Sequence, residues 1–181
     1  MTDALPTRGP LATVGAAGTL DKKTDGAMVP VAPSVTETPI LHVLFKLDDA
    51  TYALPFDVVL QMETYTGATL VPGAPPFVAG IIQLRGHVVP VVDLRARFGM
   101  APADPTLERR VVVGEQHDRT VALLVDSARE VTRIAPSQLK PPPRFVGDSQ
   151  TGFVKAVAQL GDRTVMVLDF GRVIGEEPLD V

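Results

Sequence analysis

His87-Val88-Val89-Pro90-Val91-Val92-Asp93-Leu94-Arg95-Ala96-Arg97-Phe98-Gly99 and Arg163-Thr164-Val165-Met166-Val167-Leu168-Asp169-Phe170-Gly171-Arg172-Val173-Ile174-Gly175 share one pattern. Each is an apolar run of strand length, then an aspartate, then a short helical stretch closed by glycine. The aspartate suits a helix N-cap, where its carboxylate accepts from the unpartnered amides of the first turn. The glycine suits the left-handed backbone that ends a helix. A phrase of this kind occurring twice predicts two similar units, in which Asp93, Asp169 and the glycines have structural duties.

Outward from these phrases, the chain reads as short β-type runs rich in Val, Leu, Ile and Thr, divided by turn signals. Residues 41–47 alternate, with Val43, Phe45 and Leu47 on one face and His42 and Lys46 on the other, and Asp48-Asp49 turns them into residues 51–54. Proline cannot donate to a sheet ladder, so Pro55-Phe56-Asp57 interrupts the strands before residues 59–66 resume. Residues 72–80 read as a loop with one helical turn that starts on proline and ends on glycine. Residues 81–84 and 87–92 form a hairpin about Arg85-Gly86, where Gly86 permits the turn. Residues 110–114 and 120–125 flank a polar turn, 130–134 follow, and 153–160 and 164–168 flank Gly161-Asp162. The total is about ten short strands, an all-β pattern.

Ahead of these runs, residues 1–39 are Pro, Gly, Ala, Thr and Ser with scattered charge and no period of 2 or 3.6, as expected of a disordered tail. Residues 40–181 form the folded part. Its first unit is expected over about 40–104 and its second over about 105–181, with exchange of strands or helices between them left open.

Composition narrows the chemistry. The 181 residues carry 17 basic and 21 acidic side chains, a net charge of −4, and this balance argues against a nucleic-acid partner. The absence of cysteine removes disulfides, thiolate metal sites and cysteine nucleophiles. The apolar runs fall far short of the roughly 18–20 residues that span a bilayer. Residues 1–20 hold no apolar core of signal-peptide type, so a cytoplasmic location without membrane insertion is expected.

Asp93, Asp126 and Asp169 stand at strand ends, but each has a local role as cap or turn residue and nothing in the sequence gathers them into a metal or acid/base site. His42, His87 and His117 lack metal-ligand spacing and fall on polar faces or turns, where they are expected to face solvent. No nucleophile elbow, phosphate-binding glycine loop or dinucleotide fingerprint occurs. The expectation is a protein that is not an enzyme and holds no cofactor or metal. What stands out is Gln83-Leu84-Arg85-Gly86, a fixed cation at the tip of an otherwise apolar hairpin. Arg85 can donate to carbonyls and carboxylates of its own fold, reach a partner, or do both at once.

Phe45-Lys46-Leu47, Tyr52-Ala53-Leu54, the run from Leu70-Val71-Pro72-Gly73 through Gly80-Ile81-Ile82-Gln83-Leu84-Arg85-Gly86, and Val88-Val89-Pro90-Val91-Val92-Asp93-Leu94 closely resemble the CheW family. The likeness continues through residues 121–126, Leu139-Lys140-Pro141-Pro142-Pro143, Phe153-Val154-Lys155-Ala156-Val157 and residues 165–170. The resemblance implies two packed five-stranded SH3-like β-barrels with short helical turns, and a non-catalytic adaptor between methyl-accepting chemoreceptors and a CheA-type histidine kinase. Other CheW-like proteins in rings are implied as further partners. It places receptor contacts at Val59, Gln61, Gly80 and Arg85. Leu139, Pro141 and Phe145 are candidates for kinase contact, and each could equally cover its own barrel. Gln83 departs from the family's usual asparagine, and Gln61 from an acidic residue found in some members. A β-barrel module for a small ligand or oligonucleotide is the alternative, opposed by the few aromatics and the acidic balance.

Overall fold

The computed structural model describes residues 38–143 and 152–175. In chain order the strands are β1 (Ile40–Leu47), β2 (Ala50–Pro55), β3 (Val59–Thr64), β4 (Val78–Leu84), β5 (His87–Asp93), β6 (Arg110–Gln116), β7 (Arg119–Val125), β8 (Ser127–Ile134), β9 (Leu139–Lys140), β10 (Val154–Leu160) and β11 (Arg163–Leu168). Helix α1 (Leu94–Arg97) follows β5 and α2 (Phe170–Ile174) follows β11. The expected tail lies, up to residue 37, outside the described residues.

The strands form two sheets, ordered β8-β1-β2-β11-β10-β9 and β3-β6-β7-β5-β4. All neighbours are antiparallel except β2–β11 and β5–β7, which are parallel. The two orders are one topology written twice. Hairpin β1–β2 corresponds to β6–β7, β3 to β8, and β4–β5–α1 to β10–β11–α2. Within each sequence repeat, the hairpin joins one sheet and the following strands join the other. The division expected near residue 104 therefore separates the repeats but not the sheets. The first sheet takes β1 and β2 from one repeat and β8 to β11 from the other.

Each sheet curls until its ends meet through the chain itself. After β8 the backbone passes a 3₁₀ turn, Pro136–Gln138, and enters β9, which pairs with β10. After β3 it returns at Thr69, which exchanges backbone hydrogen bonds of 2.9 and 2.8 Å with Ile81 of β4. Two small barrels result, with separate interiors. One holds Leu44, Ala53, Ile134, Val165 and Val167, and the other Val89, Val91, Val111, Val113 and Leu124. A third, larger core lies between the sheets, where Phe45, Leu54 and Leu168 meet Val92, Val112 and Leu123 beneath Leu94, Phe98, Phe170 and Val173 of the helical segments. Barrels this small bury too little surface alone, so the shared core supplies much of the hydrophobic stabilisation.

This sandwiching corrects two expectations. His42 is buried, at 2% exposure, because central strand β1 is covered on both faces; its Nδ1 lies 2.9 Å from the Ile40 carbonyl oxygen. Only His87 and His117 face solvent. Residues 72–80 contain no helical turn: Val78 and Gly80 are drawn into β4 by pairing with Val92 and Val91, leaving tight turns before them.

The repeated aspartates cap as expected. Asp93 Oδ1 accepts from the amides of Arg95 at 2.8 Å and Ala96 at 3.3 Å, and Asp169 Oδ1 accepts from the amide of Arg172 at 3.2 Å.

Candidate interaction surface

The β4–β5 turn places Arg85 at φ +50° and Gly86 at φ +86°, between the paired residues Leu84 and His87. Both central residues are left-handed, the pattern of a type I′ hairpin turn. Glycine meets that demand freely, whereas a side chain with a Cβ is strained by about 1 kcal/mol. The matching turn of the other sheet puts Gly161 where Arg85 stands, at φ +63°. Arg85 is exposed and makes no hydrogen bond or ion pair among the described residues.

Arg85 borders a groove of about 630 Å³. Its floor and walls include Leu60 and Gln61 of β3, Leu84, Val88 and Val89 of the β4–β5 hairpin, and Val113, Glu115 and Thr120 of β6–β7. Leu60 and Val88 are 58% and 63% exposed, so two large apolar side chains stand in water beside an unpaired cation. Glu115 is steadied by the Thr120 hydroxyl, which donates to it at 2.9 Å. Such a surface suits a partner that offers apolar side chains and a carboxylate or carbonyl acceptor.

The groove unites Gln61 and Arg85 but not the other two candidate receptor residues. Val59 is half-buried at the start of β3, packed against the shared core. Gly80 is buried at a bulge in β4, where an added Cβ would collide with the Thr69 carbonyl oxygen, at φ +136°. Its need for glycine is explained by closure of the second barrel. Of the candidate kinase residues, Leu139 packs on the first barrel's interior, Pro141 is exposed, and Phe145 lies outside the described residues. Gln83 is exposed on β4. Leu60, Val88 and Glu115 were not singled out by sequence, because cross-strand neighbours leave no local mark.

Asp126 has a larger role than a turn residue. It receives Arg95 Nε at 2.9 and 3.0 Å, Arg95 Nη2 at 2.7 Å and the Asp48 amide at 2.7 Å, while Arg95 Nη1 donates to the Ala101 carbonyl at 3.0 Å. This latch ties the β1–β2 turn to α1 and so joins the two sheets. Burial works against the Asp126 charge, but the Arg95 and Asp48 hydrogen bonds outweigh it and hold its carboxyl below the usual range. The Asp126 hydrogen bond raises Arg95. Asp93, Asp126 and Asp169 are not gathered, and among the described residues no set of three His, Asp or Glu could hold a metal ion.

A family model described as the CheW-like domain matches residues 41–177. The chain belongs to the CheW family. It is 30% identical over 135 residues to the chemotaxis protein CheW of Rhizobium meliloti, covering 75% of this chain and 87% of that protein. It is 28% identical to the CheW of Bacillus subtilis, covering 75% and 86%. Protein FrzA of Myxococcus xanthus is 25% identical over 132 residues, covering 72% and 82%. The crystal structure of the scaffolding protein TtCheW from Thermoanaerobacter tengcongensis superposes with a TM-score of 0.70 at 29% identity, covering 75% of this chain and 92% of that one. This CheW-like chain is thus a coupling adaptor of chemotaxis, and an unrelated ligand- or oligonucleotide-binding barrel is not favoured. No helix among its described residues is long and apolar enough to cross a membrane.

Proposed function

We propose that the chain is a non-catalytic cytoplasmic adaptor that joins the cytoplasmic tip of a methyl-accepting chemoreceptor to the regulatory domain of a CheA-type histidine kinase. The receptor tip enters the groove beside β4–β5, with Arg85 and Gln61 in contact and Val59 and Gly80 shaping the strands around it. Leu139, Pro141 and Phe145 belong to the kinase-facing side. Recruitment to membrane-associated receptor arrays, with other CheW-like proteins in the same rings, follows from these two contacts.

The observation that carries the reading is Arg85: an exposed guanidinium at the edge of the groove, without a partner among the described residues. Its positive φ is shared by Asp48, His117 and Asp118 at other turns, so the groove and the exposed charge carry the reading rather than the backbone strain. Such an adaptor needs no reaction centre, only rigid strands that hold partner surfaces in register.

The test is co-sedimentation with receptor–kinase assemblies. Arg85→Ala and Arg85→Glu proteins that remain folded by circular dichroism are expected to lose receptor affinity by about tenfold or more, the scale of a lost charged contact. Unchanged assembly and kinase stimulation would remove Arg85 from the role.

A further inference from the structure

Arg97, the last residue of α1, lies between the two repeats. Its guanidinium carbon is 4.3 Å from the Phe77 ring centre and 5.0 Å from that of Phe153, and its Nε donates to the Val173 carbonyl in α2 at 2.9 Å. The two rings are counterparts. Each phenylalanine directly precedes a strand, β4 or β10, and its carbonyl accepts from the amide of the aspartate that ends its repeat's hairpin, Asp93 at 2.8 Å and Asp169 at 2.9 Å. The counterpart of Arg97 itself is Val173, fully buried and uncharged. One cation, supplied by one repeat only, is thus shared by matching rings of both. A guanidinium stacks on aromatic faces as a plane, which an ammonium cannot do. Burial lowers the Arg97 pKa, but arginine stays charged throughout the working pH range.

The strands that begin at these rings lead to different surfaces. From Phe77, β4 runs to the Arg85 turn at the groove. From Phe153, β10 runs alongside β9, where Leu139 and Lys140 pair with Ala158 and Val157 at the base of the Pro141 segment. We infer that Arg97 is a positioning residue that couples the two partner surfaces. It fixes the setting of β4 against β10, so that a partner that shifts one strand changes the affinity of the other surface. This rests on the function proposed above. The aromatic chain Phe45–Tyr52–Phe98–Phe153, with ring centres 6.0, 5.7 and 5.2 Å apart, gives the joint a stiff backing.

The experiment uses the full chain, a receptor cytoplasmic fragment and the kinase regulatory domain from the same cell. Each affinity is measured alone and with the other partner saturating. The wild-type partners are expected to change each other's affinity by about fivefold or more, by the same factor in both directions as linkage demands. Arg97→Met keeps the stem without the charge, and Arg97→Lys keeps the charge without the plane. Both are expected to leave each separate affinity within about threefold and to bring the coupling factor close to 1. Should Arg97→Met fail to fold, Arg97→Lys and Phe153→Leu, which removes one ring, decide the matter. Coupling that persists in the folded variants overturns the inference, and so does wild-type protein that binds both partners independently. Wild-type protein that binds neither fragment overturns the proposed function instead.

Discussion

The groove beside Arg85 has a counterpart in the other sheet, built from matching positions. Leu60 and Gln61 correspond to Arg129 and Glu130, Arg85 to Gly161, His87 to Arg163, and Val88 to Thr164. In that counterpart, Arg163 forms two 3.0 Å bonds to Glu130, and Arg129 reaches Glu108 at 2.6 Å. The cavity there is about 270 Å³, against about 630 Å³ beside Arg85. One topology therefore yields two surfaces: one in which both arginines are paired with glutamates, and one in which, among the described residues, the arginine and two apolar side chains are left without a partner. The fold is neutral between them, and a handful of side chains decides which face has something left to offer a partner.

The largest effect is expected where the sheets close. Gly80 corresponds to Ala156, since both sit at the bulge that follows a strand's first residue. Gly80→Val drives a branched side chain into the Thr69 backbone at positive φ and is expected to destabilise by about 3 kcal/mol or more. Ala156→Gly, which removes only a methyl, is expected to cost about 1 kcal/mol by thermal denaturation. Equal costs would mean that the barrels do not close differently.

The junctions between sheet and helix come next. One is the Asp48–Asp126–Arg95 latch. The other, between the β6–β7 turn and α2, uses Arg119 Nη1 donating to the Gly175 carbonyl at 2.7 Å. Asp126→Asn is expected to cost about 2 kcal/mol at neutral pH, less than a fully buried pair because Asp126 keeps some contact with water. The folded Asp126 carboxyl titrates below its unfolded value. Its stabilisation is therefore complete above that unfolded value, about pH 4, and is lost as pH falls through the folded pKa. Acid titration of the Asn variant should lack this component, while Arg119→Met should retain it.

A smaller effect separates the hairpin turns. Arg85→Gly relieves strain and is expected to stabilise by up to about 1 kcal/mol while weakening receptor binding, whereas Gly161→Arg costs a similar amount without changing that binding. The smallest concerns the paired groove. Glu130→Gln should leave receptor affinity unchanged and reduce stability only slightly, an effect that added salt erases.

Much of this was legible in sequence because it is local. The aspartate caps, the hairpin turns and the interruption at Pro55 follow from residue types at short range. The turn at Arg85-Gly86 was legible in the same way, since glycine after a strand-length run marks a hairpin. What was not legible is long-range. The pairing of β5 with β7 and β11 with β2 crosses between repeats, and hydrophobic alternation does not say which repeat supplies a neighbour. Two-sided burial of β1 hid His42, since alternation marks only a half-exposed strand. The groove's Glu115 and the partnership of Arg95 with Asp126 join residues far apart in the chain, where spacing carries no signal.

The exchange of hairpins between repeats also bears on how the chain tolerates being cut. A break between α1 and β6 would release two fragments, each with a hairpin that belongs in its partner's barrel and an open barrel that needs its partner's hairpin. Neither fragment can complete a barrel alone, but together they can complement one another as an obligate pair. The single chain is thus built like an intertwined dimer whose two subunits have been fused. Shortening the connection between α1 and β6 should favour trading hairpins between molecules over folding within one.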